Sequence, residues 1–167
     1  MNAFTITLAV VVSYFCGTLP SAIAVARSKG VDITSFGSGN PGASNVGRAL
    51  GTKYFVIVMV MDALKGAVPV ALMLGDRHIA YLCGAAAVVG HVFPVTRRFR
   101  GGKGVATAFG VVLAFAARLG HGAPLRIGSM GYALPGGVAA VGLIIAMGGI
   151  DDALDWVWLH LTGALAP

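Results

Sequence analysis

The sequence predicts an all-α integral membrane protein, a polytopic helical bundle that forms a single membrane domain over residues 1–167. Of these residues 57% are hydrophobic and 11% are charged, whereas soluble domains carry about 25% charged residues. Several apolar runs approach the roughly 20 residues that a helix needs to cross a bilayer. Between them lie two glycine-rich basic loops. Together these observations predict about five transmembrane helices plus a short C-terminal helix, with the N-terminus outside.

The apolar runs give the predicted elements in order. The predicted spans are residues 4–26, 54–74, 79–95, 105–117 and 127–150. The first should bend near Gly17 and Pro20, because proline cannot continue a regular helix. The fourth is short unless it tilts or extends through Leu119. Residues 153–166 are too few to cross the bilayer and carry two tryptophans, which favours an interfacial helix.

Basic residues predict the orientation. Eight of the twelve Lys and Arg residues lie in the connectors after the first and third spans. They are Arg27, Lys29, Arg48 and Lys53 in the first connector, and Arg97, Arg98, Arg100 and Lys103 in the second. Since successive spans alternate in direction, both connectors lie on one side, and the positive-inside rule makes that side cytoplasmic. The net charge of +6 then favours anionic lipid headgroups, and no nucleic acid, as the partner.

The first glycine-rich loop, residues 37–48, predicts a backbone that curls around an anion. Its glycines allow close approach to an oxyanion, and its arginine suits bidentate phosphate contact. The candidate binding residues are Ser38, Gly39, Asn40, Gly42, Ser44, Asn45 and Arg48. The loop lacks the Gly-Lys-Ser/Thr ending of a P-loop, which disfavours nucleotide hydrolysis. A plain polar turn with solvated side chains is the alternative interpretation.

The second loop, residues 91–104, sets a lysine among glycines. A flexible ammonium in that setting can follow a phosphate into a narrow site. The candidate residues are His91, Gly101, Gly102, Lys103 and Gly104. Arg97 and Arg98 are interpreted as topology anchors, and the role of Arg100 is left undecided. His91 is structural in the ordinary case, but on this side of the membrane it could bind a phosphate or move a proton.

Two charges interrupt the second span. Asp62 and Lys65 stand three residues apart, so they can pair on one side of a helix. Charges inside a membrane span are costly and face protein or a polar cavity. A structural ion pair and a direct ligand role are both retained as interpretations. Cys16 and Cys83 lie in apolar runs and should pack as small hydrophobic side chains; no metal-ligand spacing and no cofactor motif is found.

These motifs resemble the bacterial acyl-phosphate:glycerol-3-phosphate acyltransferases, the PlsY family. The resemblance covers about residues 4–115. It rests on Gly-Thr-Leu-Pro-Ser at 17–21, the first loop at 37–48, Asp-Ala-Leu-Lys-Gly at 62–66, Gly-His-Val-Phe-Pro-Val at 90–95 and Phe-Arg-Gly-Gly-Lys-Gly-Val-Ala-Thr at 99–107. It implies a multi-pass enzyme of the bacterial plasma membrane that needs no cofactor. The enzyme would transfer an acyl group from acyl phosphate to glycerol 3-phosphate, forming lysophosphatidic acid in phospholipid biosynthesis.

The resemblance also implies roles for residues. The polar and glycine positions of the first loop would form a phosphate-binding loop, with Arg48 and Lys103 as cationic partners of substrate phosphates. His91 matches a family histidine, and His91 and Lys103 are the candidate catalytic residues. The implied partners are glycerol 3-phosphate, acyl phosphate, membrane lipids and the enzyme that produces acyl phosphate.

The last third departs from the family pattern. The family's third cytoplasmic signature, rich in His, Arg and Asn and ending in Gly-x-Glu, is missing, and the chain contains no Glu. We therefore expect residues 4–117 to form a family-like core and residues 118–167 a divergent tail, through a frame shift or truncation or through natural divergence. An inactive phosphate-binding remnant and an organophosphate or anion transporter are the alternative functions, although no internal repeat of the transporter kind is visible.

Overall fold

The computed structural model describes residues 1–119, which form helices and contain no strand. The helices are α1 (Ala3–Gly17), α2 (Ser21–Arg27), α3 (Ala43–Leu50), α4 (Thr52–Leu72), α5 (Arg77–Val92), the 3-10 helix Val95–Arg97 and α6 (Val105–Leu119). The predicted span at 127–150 and the predicted interfacial helix at 153–166 lie outside the described residues.

Three stretches of the described chain are long and apolar enough to cross a membrane. They are Ala3–Arg27, Thr52–Leu72 and Arg77–Arg97, while the apolar helix Val105–Ala117 is shorter. Large apolar side chains such as Leu8 and Leu82 point outward with about half of their surface exposed, as a bilayer requires. Lipid offers no hydrogen-bond partners to the backbone, whereas a helix pairs its own N–H and C=O groups. The prediction of an all-α, multi-pass membrane protein is confirmed.

The predicted bend in the first span is a complete break. α1 ends at Gly17, and the N–H of Thr18 closes its last turn by donating to the carbonyls of Tyr14 and Phe15. Pro20 has no N–H to continue the ladder. It precedes Ser21, the first residue of α2. The break leaves three residues of irregular backbone at one end of the bundle.

Glycines set how closely the long helices approach. A Cβ atom at Gly17 would overlap the backbone of Ala87, and one at Gly90 would overlap the carbonyl of Tyr14, so α1 and α5 cross in backbone contact. Gly66 makes the same close approach between α4 and α6. Small residues at crossings are a common way for membrane helices to associate. The crossing of α1 and α5 holds the end of α5 beside the break.

The first glycine-rich segment is only partly a loop. α3 begins directly after Gly42, so the second half of residues 37–48 is helical, which differs from the expectation. Val46 is fully buried and packs with Ile33 and Val58. Gly, Ser and Asn favour turns when judged by local preference. Burial of the apolar face of α3 against α4 outweighs that preference.

Candidate functional site

A small polar cleft of about 10 Å³ lies beside the break between α1 and α2. The break contributes Thr18 and Ser21, and the 3-10 helix contributes Arg97. Pro41 of the first glycine-rich segment and Gly102 of the second also line it. Both glycine-rich segments therefore border one cleft, as their predicted placement on one side of the membrane requires.

Three buried ionisable side chains, Asp62, Lys65 and His91, line this cleft together, and we call them the cleft cluster. Lys65 Nζ lies 2.7 Å from Asp62 Oδ1 and donates a hydrogen bond of 2.8 Å to the carbonyl of Leu19. The two side chains of the pair are 5% and 4% exposed. The interpretation as an ion pair therefore fits the geometry, and the pair also reaches the cleft.

His91 lies near the end of α5 with 9% of its surface exposed. Its Nδ1 atom is 3.9 Å from Asp62 Oδ1 and has no hydrogen-bond partner among the described residues. The Nε2 side of the ring faces Gly102, where a Cβ atom would overlap the imidazole. An Nδ1–H directed at the Asp62 carboxylate would leave Nε2 as an acceptor beside the second glycine-rich segment.

The second glycine-rich segment folds back onto the end of α5. The N–H of Gly101 donates to the carbonyl of Val92 at 3.1 Å, and the N–H of Gly102 donates to the carbonyl of His91 at 3.2 Å. A Cβ atom at Gly101 would overlap both carbonyls, so glycine is required there. Lys103 follows directly and is exposed. The ammonium thus projects from a backbone whose position is fixed by α5.

Tyr14 of α1 fixes the turn that follows α5. Its hydroxyl donates to the carbonyl of Phe93 at 2.8 Å and accepts from the N–H of Val95 at 3.0 Å. These partners are 79 and 81 residues away along the chain. The two hydrogen bonds determine where the 3-10 helix starts, and with it where Arg97 meets the cleft.

Asn45 is buried within the first glycine-rich segment, with 2% of its surface exposed. Its amide donates to the carbonyls of Ile33 at 3.1 Å and Phe36 at 2.8 Å. Gly37 has a φ of +54°, and a Cβ atom there would lie 2.6 Å from Asn45 Oδ1. The side-chain amide donors of Asn45 are thus engaged with the protein's own backbone. Asn45 therefore shapes the segment.

The stretch before this segment is held by a second local network. The hydroxyl of Thr34 donates to the Asp32 carboxylate at 2.6 Å, and its N–H donates to the same oxygen at 3.0 Å. These hydrogen bonds favour the charged carboxylate and lower the pKa of Asp32. The connector between α2 and α3 thus enters the first glycine-rich segment in a defined conformation.

Of the residues that the sequence analysis selected, His91 and Gly102 line the cleft. The other candidates lie in the glycine-rich segments but do not line the cleft. Ser38, Ser44, Arg48 and Lys103 are exposed, Gly39, Asn40, Gly42 and Gly101 are half-buried, and Asn45 and Gly104 are buried. Lys103 is exposed next to the cleft residue Gly102, and Arg48 is exposed in the last turn of α3.

The cleft also includes residues outside that selection. Asp62 and Lys65 could be singled out from the sequence, because charged residues inside an apolar run are costly and face protein or a polar cavity. Arg97 was interpreted as a topology anchor, yet it is half-buried and lines the cleft. Thr18 and Ser21 had no signal beyond their place beside the predicted bend. Their role as cleft walls follows from the break itself.

The described residues hold no group of three or more His, Cys, Asp or Glu side chains that could bind a metal ion. Cys16 and Cys83 are free thiols. Cys83 is fully buried, and Cys16 Sγ lies 3.7 Å from the carbonyl of Lys65. Both cysteines pack as small side chains between helices.

The sequence matches a family profile described as Glycerol-3-phosphate acyltransferase over residues 7–149. This range runs beyond residue 115, where the resemblance was placed from the motifs. A Glycerol-3-phosphate acyltransferase of Aquifex aeolicus is 46% identical over 109 residues, covering 63% of this chain and 57% of that protein. One of Myxococcus xanthus is 40% identical over 147 residues, covering 80% and 76%. The chain thus spans little more than half the length of the Aquifex relative.

A solved structure agrees in fold as well as in sequence. It is a crystal structure of PlsY (YgiH), an integral membrane glycerol 3-phosphate acyltransferase, in its glycerol 3-phosphate form. The TM-score is 0.65 and the identity is 33%, with 97% of this chain and 94% of that chain covered.

Proposed function

The chain belongs to the glycerol-3-phosphate acyltransferase family, and from this premise we propose that it transfers a fatty acyl group from acyl phosphate to the 1-hydroxyl of glycerol 3-phosphate. The bond between the acyl carbon and the donor phosphate breaks as an ester forms to the hydroxyl. The products are lysophosphatidic acid and inorganic phosphate. Acyl phosphate is a mixed anhydride with a good leaving group, so the protein contributes mainly by positioning and by neutralising charge.

The observation that carries the proposal is the meeting of both glycine-rich segments at one polar cleft that also contains His91. Two anionic substrates need a site with cations and with little competing carboxylate charge. Lys65 neutralises the one buried carboxylate of the cleft cluster. Arg97 at the cleft, Lys103 next to the cleft residue Gly102, and the exposed Arg48 of α3 are the proposed sources of positive charge for the two phosphates.

His91 is the proposed group that contacts the reacting hydroxyl. Its buried ring faces the second glycine-rich segment through Nε2, where it can accept a hydrogen bond from the attacking hydroxyl or take its proton. Lys103 is the proposed partner of a substrate phosphate whose charge changes during transfer. Ser38, Gly39, Asn40, Gly42, Ser44, Gly101, Gly102 and Gly104 are the proposed phosphate-binding surroundings.

The proposed setting is a bacterial plasma membrane, with the N-terminus outside and the cleft at the cytoplasmic face. The basic connectors beside the cleft favour that side because lysine and arginine are retained there. The proposed partners are the two substrates and membrane lipids. Because acyl phosphate is a reactive anhydride, the enzyme that supplies it is a further proposed partner.

The test is product formation by the purified full chain in lipid nanodiscs. We expect lysophosphatidic acid and phosphate to appear only when glycerol 3-phosphate and a long-chain acyl phosphate are both present. Lys103→Ala should lower the rate by about 10²–10³-fold, as expected for removal of a preorganised charge from a transition state. Lys53→Ala, which removes an exposed cation at the start of α4, is the matched control.

Full activity of the Lys103→Ala protein would remove that residue from the mechanism. Phosphate release that does not depend on glycerol 3-phosphate would reject the proposed reaction. Substrate binding without turnover would favour the phosphate-binding remnant, the second candidate, which the missing third signature supports. Uptake of glycerol 3-phosphate by sealed vesicles without product would indicate a transporter.

A further inference from the structure

The cleft cluster connects two walls of the cleft that belong to different helices. Lys65 of α4 donates to the Leu19 carbonyl in the break between α1 and α2, at 2.8 Å. Leu19 O also accepts from the N–H of Ser21 at 3.0 Å, so this carbonyl lies where the chain restarts as a helix. The contact therefore joins α4 to the proline-containing break within the stretch Ala3–Arg27.

The cleft cluster also contacts α5, through Asp62 and His91. Asp62 Oδ1 lies 2.7 Å from Lys65 Nζ and 3.9 Å from His91 Nδ1. One carboxylate oxygen therefore faces both the lysine and the imidazole. Through these two side chains, one turn of α4 touches the break on one side and the end of α5 on the other.

A contribution to folding stability does not by itself explain why these charges are buried here. A buried ion pair must repay the loss of hydration of both charges, and apolar residues of similar volume often do as well or better. A direct role for Lys65 as a phosphate ligand is also disfavoured. Its ammonium is already paired with Asp62 and donates a hydrogen bond to the Leu19 carbonyl, whereas Lys103, next to the cleft residue Gly102, is exposed.

We propose that Asp62 and Lys65 are positioning residues that hold the α1–α2 break and His91 at a fixed separation across the cleft. Lys65 holds the break through the Leu19 carbonyl, and the Asp62 carboxylate, 3.9 Å from Nδ1, orients the imidazole electrostatically. Neither residue touches substrate. This inference rests on the proposed function and assigns these two residues a part in it.

The test measures kcat and KM per folded protein for Lys65→Gln, Asp62→Asn and the double variant. Folded protein is quantified by size-exclusion chromatography before the assay. Lys53→Gln is the matched control, since it makes the same chemical change at an exposed lysine of the same helix. The double variant leaves no unpaired buried charge, so it is expected to fold where a single variant does not.

We expect kcat to fall about 10–100-fold in the double variant and in each folded single variant, because a displacement of about 1 Å at a reacting group costs up to about 10² in rate. KM for glycerol 3-phosphate should change by less than about threefold. A large rise in KM with kcat retained would make Lys65 a substrate ligand and overturn the proposal. Wild-type kcat in the double variant would overturn it too.

A second readout does not use activity. A nitroxide is attached at Leu19→Cys, whose side chain is 57% exposed, in a Cys16→Ser, Cys83→Ala background. Lys65→Gln should make the label more mobile, and Lys53→Gln should leave it unchanged. An unchanged spectrum in Lys65→Gln would refute the hold on the break. If the unsubstituted chain made no lysophosphatidic acid, the proposed function would fail and this spectrum would decide the positioning role alone.

Discussion

Gly102→Ala should disable the protein through one methyl group. The new Cβ atom would overlap His91 Nε2 and lie 3.0 Å and 3.3 Å from the neighbouring ring carbons Cε1 and Cδ2. Cβ atoms in real proteins keep greater distances, so either the ring or the glycine segment must move. The segment is restrained because the N–H of Gly102 donates to the carbonyl of His91 at 3.2 Å, and the ring is restrained because His91 is only 9% exposed.

The magnitude follows from this geometry. Relief of the overlap needs a shift of up to about 1 Å at the imidazole, which is expected to lower kcat/KM by about 10²-fold. Forcing an extra methyl group into a packed site should also cost about 1–3 kcal/mol of folding stability. The assay is lysophosphatidic acid formation per folded protein, together with the thermal unfolding midpoint in detergent.

Two controls separate the contact from a general effect of alanine. Gly75→Ala makes the same change in the α4–α5 turn, where a Cβ atom meets nothing within 4 Å, and it should leave both measurements unchanged. In a His91→Ala background the imidazole is gone, so Gly102→Ala should lose most of its stability cost. If Gly102→Ala kept wild-type activity and stability, the tight approach of the ring to the segment would be wrong.

Two further substitutions test the hydrogen bonds that shape the cleft walls. Tyr14→Phe removes the hydroxyl that bridges Phe93 and Val95 and should lower the free energy of unfolding by about 1–3 kcal/mol, at about 0.5–1.5 kcal/mol per hydrogen bond. Thermal unfolding measures the loss, and the control is Tyr81→Phe, whose hydroxyl has no hydrogen-bond partner among the described residues. Equal unfolding midpoints for the two variants would contradict the prediction. Asn45→Asp keeps the side-chain size but removes the amide donors to two backbone carbonyls, so we expect the free energy of unfolding to fall by about 1–3 kcal/mol in the same measurement. An unchanged unfolding midpoint would show that these hydrogen bonds do not hold the segment.

The membrane spans were predictable because hydrophobicity is a local property. The predicted span 54–74 is observed as Thr52–Leu72, and the predicted span 79–95 corresponds to the stretch Arg77–Arg97. The break near Gly17 and Pro20 was predictable for a similar reason, since proline acts on its own turn of helix. Each of these four bounds differs by two residues from the predicted one, because helix ends fray and do not coincide with the ends of the apolar run.

The detailed geometry of the site depends on contacts between distant parts of the chain. The sequence shows that Asp62 and Lys65 can pair, but the carbonyl that completes the contact is 46 residues from Lys65. Local preference also misassigned the second half of residues 37–48, because the apolar contact that makes α3 helical lies on α4. Asn45 was predicted to bind phosphate from its place in the segment, and its hydrogen bonds to two backbone carbonyls are visible only once the segment is folded.

The crossing of α1 and α5 has a consequence for the imidazole. Gly90, whose missing side chain lets the two backbones touch, immediately precedes His91 in the chain. The rotational position of the imidazole about the α5 axis therefore depends on how α5 packs against α1 one residue earlier. A substitution that separates the two backbones at this buried crossing would also displace the ring from the cleft.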